Sequence, residues 1–434
     1  MSHPEAGRAV AGSAAAVRPV TARTVEVPDL GQLLPHLPSA TGVAWIHDGD
    51  GTIAWGEAAR LELSGPDQFE RAADWWQRYC ATVTRIGTPD ASAPVRGPVM
   101  FGSFAFDQSV GTSVVLVPAM VLARVDGRCW LTLINPAAGA ADDLDPDALL
   151  AAVVSGPVEP VRPPGAVRWS EGSESVMAWA GAVAAAVGQI EAGELAKVVL
   201  ARDVIAEAEH PVDARHLLTR LADRYPSCWT FAVDGLVGAT PELLIRRSGA
   251  EIESLVLAGT AWRHDDADED RLAAELIASA KNQEEHVYAT QSAADALAGY
   301  CAELSVPPAP EVVRLANLVH LGTRVSGRLA GDTDALTLAA ALHPTAAVAG
   351  TPTDLALKVI EDLEGMDRGR YAGPVGWMDA TGNGEWCIAL RCAELSGRLV
   401  RLFAGCGIVA GSVPETEIAE AQAKFAPIRD ALCD

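Results

Sequence analysis

The chain has 434 residues, 57 acidic side chains against 33 basic ones and a formal net charge of −24. Such a field repels nucleic acid and anionic membrane surfaces, and admits an anionic small molecule only where local cations overcome it. The eight cysteines form no C-x-x-C pair, no apolar run reaches the roughly 18–20 residues that span a bilayer, and residues 1–24 lack the apolar centre of a signal peptide. These features predict a cytoplasmic protein with free thiols and a disordered tail at 1–24. Its length allows two or three domains or one large α/β body.

Residues 25–165 read as a β-rich half. Short apolar runs at 42–47, 52–55, 98–107, 113–118 and 129–134 alternate with turns, and one helix is expected around Phe69–Arg85. A proline-rich stretch at 156–165 reads as a linker or a crossing between substructures. Beyond it Val176, Ala180, Val183, Val187 and Ile190 recur at helical spacing until Gly193. The apolar run Lys197–Arg202 follows as a strand, and a single helix is expected over Arg271–Tyr300. Near the end, Gly373–Met378, Glu385–Leu395 and Leu399–Phe403 predict a meander whose first turn puts Asn383–Gly384 at positive φ, before a final helix. No fixed-period repeat is present, so solenoids and propellers are excluded.

Only four basic residues are lysine: Lys197, Lys281, Lys358 and Lys424. A lysine amine can be deprotonated at accessible pH and a guanidinium cannot, so lysines kept in an arginine-rich composition are candidates for proton chemistry. Lys358 lies in an ordinary amphipathic stretch and reads as surface. Lys197 heads an apolar strand, where a desolvated amine would serve as a base. Glu242 stands beside Leu243-Leu-Ile, where burial would raise its pKa toward that of a useful acid. Spacing alone does not bring the two together, and each also reads as a strand-end surface charge.

The segment Phe403–Ser412 carries three glycines where a strand gives way to a helix, with Ser412-x-x-Glu415 as a capping box. Amides there can approach an anion beside the positive helix end. Glu417, Glu420 and Lys424 share one face of that helix, either a solvated, salt-bridged face or a site. A second acidic helix carries Lys281-Asn-Gln-Glu-Glu285-His. Glu285 and Glu417 could together offer oxygen ligands to a hard divalent cation, magnesium being the natural choice; no thiol or paired-histidine spacing points to zinc. Arg391 closes a strand whose alternate residues Cys387 and Ala389 are small and apolar, so it is either a buried carboxylate clamp or, on the other face, solvated.

Taken in order, nine segments resemble the chorismate-binding enzymes, the family of isochorismate, salicylate, anthranilate and aminodeoxychorismate synthases. They are Lys197-Val-Val-Leu-Ala-Arg, Ala239-Thr-Pro-Glu-Leu-Leu, Leu257-Ala-Gly-Thr, Ser279-Ala-Lys-Asn-Gln-Glu-Glu-His, His320-Leu-Gly-Thr, Leu342-His-Pro-Thr-Ala-Ala-Val-Ala-Gly-Thr-Pro, Arg370-Tyr-Ala-Gly-Pro-Val-Gly-Trp, Ile388-Ala-Leu-Arg and Ala404-Gly-Cys-Gly-Ile-Val. The N-terminal half matches loosely, chiefly through Phe101–Asp107. The resemblance implies an α/β (α+β) body: a large two-sheet, mostly antiparallel β sandwich with helices packed outside, in which 25–165 and the catalytic region 166–434 form one continuous fold.

It also implies an isochorismate synthase acting on chorismate. Lysine at 197 marks members that activate water, whereas ammonia users carry an uncharged residue there and take ammonia from a glutaminase. Ala258 stands where aminodeoxychorismate synthases tend to have lysine, and Ala347 where the pyruvate-releasing members have threonine. The implied roles are Lys197 as base, Glu242 as acid, and Mg²⁺ on Glu285 and Glu417 with Glu420 nearby. Tyr371, Arg391, Lys424 and the amides of Gly405 and Gly407 would bind a substrate carboxylate, while Gly259, Thr260, His320 and Ala347 match substrate-positioning sites. Val256-Leu257 stand where relatives often have a proline, and Thr240 where serine is commoner. Salicylate synthase, an ammonia-using synthase and a non-catalytic chorismate binder are the competing readings. A monomer without a glutaminase subunit is expected, and these residues do not choose between menaquinone and siderophore pathways.

Overall fold

The computed structural model describes residues 20–86, 97–135, 150–151, 159–262, 269–315 and 318–433. Among these, strands form one sheet of 13 strands and another of 10, antiparallel throughout apart from the parallel pair Val20–Val27 with Val83–Ile86. The strand Lys197–Ala208 shows why the layers stack. Its first seven residues are all buried, a continuous run that requires cover on both faces. Helices Val176–Glu191 and Thr353–Leu363 pack against it, and Pro414–Cys433 packs on its strand neighbour Leu399–Ile408. The first of these helices buries Trp179, Val183, Ala186 and Ile190, one stripe at helical spacing.

Among the described residues one large apolar core spans both sheets and their helices, with a small separate cluster of Leu276, Val319 and Leu321, and a polar tie links the two sheets. Glu385 of the smaller sheet accepts the indole N–H groups of Trp45 (2.6 Å) and Trp229 (2.9 Å) from the larger one. Strands from both halves of the chain pair within both sheets: Val43–His47 with Trp229–Val233, and Val99–Ser103 with Pro374–Asp379.

Tertiary structure overrides several local expectations. Residues 20–24, expected in the tail, belong to the strand Val20–Val27, with Val20 and Ala22 buried; residues 1–19 lie outside the described residues. The helix expected around Phe69–Arg85 covers Gln68–Ala81, and Val83–Ile86, with β-branched Val83, Thr84 and Ile86, pairs as a strand instead. The helix expected over 271–300 is two, Glu269–Ala278 and Ala280–Ala298. Ser279 between them is extended and its hydroxyl caps the Asn282 amide, a cap worth about 1 kcal/mol. In the hairpin turn the positive φ falls on Gly382 (+79°) and not on Asn383–Gly384, because Asp379 Oδ1 takes the amides of Thr381 and Asn383.

The expected strand Glu385–Leu395 is two strands in different sheets. Gly384–Ile388 pairs in the smaller sheet and Cys392–Ser396 in the larger. Gly405 and Gly407 lie inside the strand Leu399–Ile408, not at its junction with the helix. That helix starts at Pro414, two residues after Ser412, whose hydroxyl takes the Val409 amide. Of the expected linker, residues 159–165 are described and form irregular chain; 156–158 lie outside the described residues. Among the described residues no helix is long and apolar enough to cross a membrane.

Candidate active site

Two chain segments change sheets side by side. Pro241–Glu242 leads from Leu236–Thr240 of the larger sheet to Leu243–Ser248 of the smaller, and 389–391 makes the reverse crossing. Thr240 Oγ1 donates to the Ile388 carbonyl (2.7 Å). The Ile388 amide donates to Glu242 O (3.1 Å), and the Ala239 amide to Arg391 O (3.2 Å). Arg391 holds φ at +46°, a left-handed conformation unusual outside glycine. It therefore does not close a strand; it sits at a corner. A cavity of about 270 Å³ opens at this double crossing, lined by both Glu242 and Arg391.

Glu242 is 5% exposed. Burial pushes its carboxyl up to about 8 from an ordinary 4.5, although the Lys197 charge and the Leu257 amide pull the other way. Lys197 is fully buried at the head of its strand, with Nζ 3.0 Å from Glu285 Oε1. That contact is an ion pair without hydrogen-bond alignment, so Nζ has no hydrogen-bond partner. Gly407 makes this proximity possible, since a Cβ there would fall 2.5 Å from Glu285 Oε1 and 3.2 Å from Lys197 Cε. His286 docks the helix that carries Glu285. Its ring nitrogens meet Ala258 O (3.2 Å) and Thr323 Oγ1 (2.7 Å), and burial lowers its pKa.

The opposite wall depends on a bulge. Between Ala258 and Thr260 the pairing with Leu318–Leu329 slips by one residue, with Gly259 at φ +80°, as a β-bulge requires. His320 Nδ1 lies 3.0 Å from Thr260 Oγ1 and 3.3 Å from Gly259 O. Burial, then Arg391 and Lys424, lower the His320 pKa well below its ordinary value, so the ring is neutral.

Glu417 and Glu420 come from the last helix. Their oxygens and the Cys406 sulfur all lie within 4.8 Å of one another. The thiol donates to the Glu417 carbonyl (3.4 Å) and burial raises its pKa well above the usual range, which makes it a neutral neighbour and not a ligand. Glu285 lines the same cavity from another helix. Three carboxylates and no available thiolate or paired histidines make a donor set that fits a hard divalent cation such as Mg²⁺. Lys424 Nζ bonds Glu420 Oε1 (2.6 Å) and Gly405 O (2.7 Å). Burial works against its charge, but Glu420 prevails and raises its pKa. Burial lowers the pKa of Arg391 and raises that of Tyr371, whose ring stacks on Phe403 at 5.1 Å. Val199 gives its amide to Ala349 O and Ala201 gives its own to Glu364. Their cross-strand partners Gly407 and Gly405 are therefore the pairs without ladder bonds, and turn their N–H groups away from that strand.

The structure gathers Glu242, Gly259, Thr260, Glu285, His320, Ala347, Tyr371, Arg391, Gly405, Gly407, Glu417, Glu420 and Lys424 around this one cavity, with Lys197 against Glu285. Lys358 is exposed, and the Lys281 side chain lies outside the described residues. Sequence reasoning missed Asn282, Thr416 and Arg368 in the lining. For Arg368 the only signal was the i, i+4 spacing to Glu364.

The family model described as chorismate binding enzyme matches residues 45–433. Isochorismate synthase DhbC of Bacillus subtilis is 43% identical over 252 residues, covering 55% of this chain and 63% of that protein, less than two thirds of its length. The salicylate biosynthesis isochorismate synthase of Pseudomonas aeruginosa is 34% identical over 401 residues, 88% of this chain and 82% of the relative. The solved structure of MenF, the menaquinone-specific isochorismate synthase from Escherichia coli, superposes with a TM-score of 0.78 at 28% identity, over 96% of this chain and 95% of that one.

Proposed function

The chain belongs to the chorismate-binding enzyme family, and from that premise we propose that it is an isochorismate synthase, a soluble cytoplasmic monomer working without a glutaminase subunit. The observation that carries the reading is a buried carboxyl, Glu242, in the cavity wall together with a buried amine, Lys197, against Glu285 of the same wall. Glu242 keeps its proton to about pH 8, and Lys197 is a buried amine with no hydrogen-bond partner.

In the proposed reaction Lys197, as the neutral amine, takes a proton from water as its oxygen bonds to C2 of the ring. The double bonds shift, the C4–O bond breaks, and Glu242 gives its proton to the departing hydroxyl, which leaves as water. One water enters and one leaves, so substrate and product are isomers. The Lys197–Glu285 contact must open for this, and Glu285, Glu417 and Glu420 are the carboxylates that would hold Mg²⁺. When bound, the ion supplies Lewis-acid attachment for the ring carboxylate. Tyr371, Arg391, Lys424 and the Gly405 and Gly407 amides hold the enolpyruvyl carboxylate, with neutral His320, Thr260 and Gly259 orienting the ring.

Ala347 favours an enzyme that stops at isochorismate, and Lys197 disfavours ammonia as nucleophile. The two named relatives that span most of this chain serve different ends, menaquinone and salicylate, yet share the isochorismate step. The test is to incubate the protein with chorismate and Mg²⁺, with and without EDTA, and separate the products by liquid chromatography. Isochorismate alone, lost with EDTA, is the expected result; salicylate with pyruvate, or no turnover at all, overturns the proposal.

A further inference from the structure

We propose that Glu364 and Arg368 are positioning residues for this site, a buried ion pair standing in for a missing strand beside the residues that follow Lys197. The inference rests on the role given to Lys197 above. On the side away from Leu399–Ile408, the strand Lys197–Ala208 has strand neighbours at its two ends only. Lys197 and Val198 pair with Thr351 and Gly350, and Val204–Ala208 pair with Val167–Glu171. The backbone between them faces no strand, and buried N–H and C=O groups left unmatched there would be costly.

Side chains fill the gap in the pattern a strand would use. Arg368 Nη2 donates to Val199 O (2.8 Å), and the Ala201 amide donates to Glu364 Oε2 (2.8 Å). The two are locked to each other by parallel bonds of 2.6 Å from Nε and Nη2. The same guanidinium holds the loop that carries Ala347, through Nη1 to Val348 O (2.9 Å), and its face lies 4.2 Å from the Phe106 ring. Both side chains are nearly sealed from solvent, Arg368 at 3% and Glu364 at 2%.

A buried ion pair is weak evidence for stability, because desolvation offsets much of the attraction. What this one fixes is geometry. Lys197, Val199 and Ala201 project from one face of the strand, so clamping the backbone at 199 and 201 sets the direction of Lys197, while the third contact ties the Ala347 loop to the same rigid body. A lysine at 368 keeps the charge but cannot reach a carboxylate and two carbonyls at once.

The test uses the full chain with Arg368→Lys and Glu364→Gln. Three measurements are made: amide exchange by mass spectrometry over 197–203, steady-state kinetics giving kcat and KM for chorismate with Mg²⁺, and the thermal midpoint. We expect Arg368→Lys to fold, to exchange its 199–201 amides at least ~10-fold faster than wild type, and to lose roughly 10–100-fold in kcat with KM little changed. Glu364→Gln, which keeps an acceptor for Ala201, should lose less. Wild-type exchange at 199–201, or a lower midpoint with kcat per folded molecule unchanged, overturns the proposal. If Arg368→Lys does not fold, Glu364→Gln decides by the same readouts. If the wild type does not turn over chorismate, the functional reading fails on its own, and the exchange data still judge the strand support.

Discussion

Replacing Glu242 by glutamine should cut turnover sharply and stabilise the protein, for one reason. Burial keeps this carboxyl protonated to about pH 8, against an ordinary 4.5. Between those values the unfolded chain has released the proton and the native protein has not. Native stability therefore falls as pH rises, by about 1.4 kcal/mol per unit, until the native group also ionises. At pH 7 the accumulated loss is about 3 kcal/mol, and neutral, nearly isosteric glutamine escapes it. Urea unfolding at pH 5, 7 and 9 should show the variant close to wild type at the lowest pH and clearly more stable at neutrality, with an advantage that stops growing, but persists, above pH 8. In parallel, wild-type kcat/KM should fall as pH rises through about 8, while the variant keeps a residual rate roughly 10²–10⁴-fold lower. A variant less stable than wild type at pH 7, or wild-type activity still rising at pH 9, would refute the burial argument.

Three further substitutions probe the site. Lys197→Ala removes the base and strips Glu285 of its 3.0 Å partner; product formation should drop roughly 10²–10⁴-fold, and a loss under tenfold in steady-state kinetics would remove Lys197 from the mechanism. Gly407→Ala places a methyl 2.5 Å from Glu285 Oε1, and should cost about 1–3 kcal/mol in denaturant unfolding together with most of the activity; wild-type rates would mean the Lys197–Glu285 proximity is dispensable. Ala347→Thr adds a hydroxyl and a methyl to the lining, and a coupled pyruvate assay should detect release absent from wild type. An unchanged product ratio would count against Ala347 as the determinant.

Local chemistry made much of the site legible. Lys197 stands out because lysine is scarce, Glu242 because it abuts apolar strand residues, and the last helix because Glu417, Glu420 and Lys424 share a face. What stayed hidden is set by contacts between distant segments. The expected strand Glu385–Leu395 has no local breaker, yet it divides at Arg391 because its two ends belong to different sheets. Ser279 looks like a residue within one helix until its extended backbone and cap are seen. Arg368 is the extreme case: its acceptors lie on Val199 and Val348, and no spacing rule connects 199, 348 and 368. The resemblance supplied Tyr371, His320 and Gly259, whose positions no periodicity predicts; the bulge at Gly259 exists only through its pairing with another strand.

The charge arrangement bears on why an acidic chain would take a doubly negative substrate. At the cavity Lys424 is paired with Glu420, Lys197 lies against Glu285, and Arg391 shares the lining with Glu417, so these groups already have acidic neighbours before any ligand arrives. Chorismate adds two negative charges, inside a protein of net charge −24. A divalent cation restores the balance, and each ligand should then favour the other's binding by the same factor, since coupling between sites is reciprocal. Two charges drawn together at such a site correspond to about 1–3 kcal/mol of coupling, or roughly 5–150-fold in affinity. Calorimetry with Glu242→Gln, whose turnover should be slowed roughly 10²–10⁴-fold, can close the cycle: Mg²⁺ titrated with and without chorismate, and chorismate with and without Mg²⁺. Equal tightening in both directions, weakened in Glu417→Gln, is expected. Independent binding of the two would mean that the carboxylates hold no ion at the substrate, and that Arg391 and Lys424 alone carry its charge.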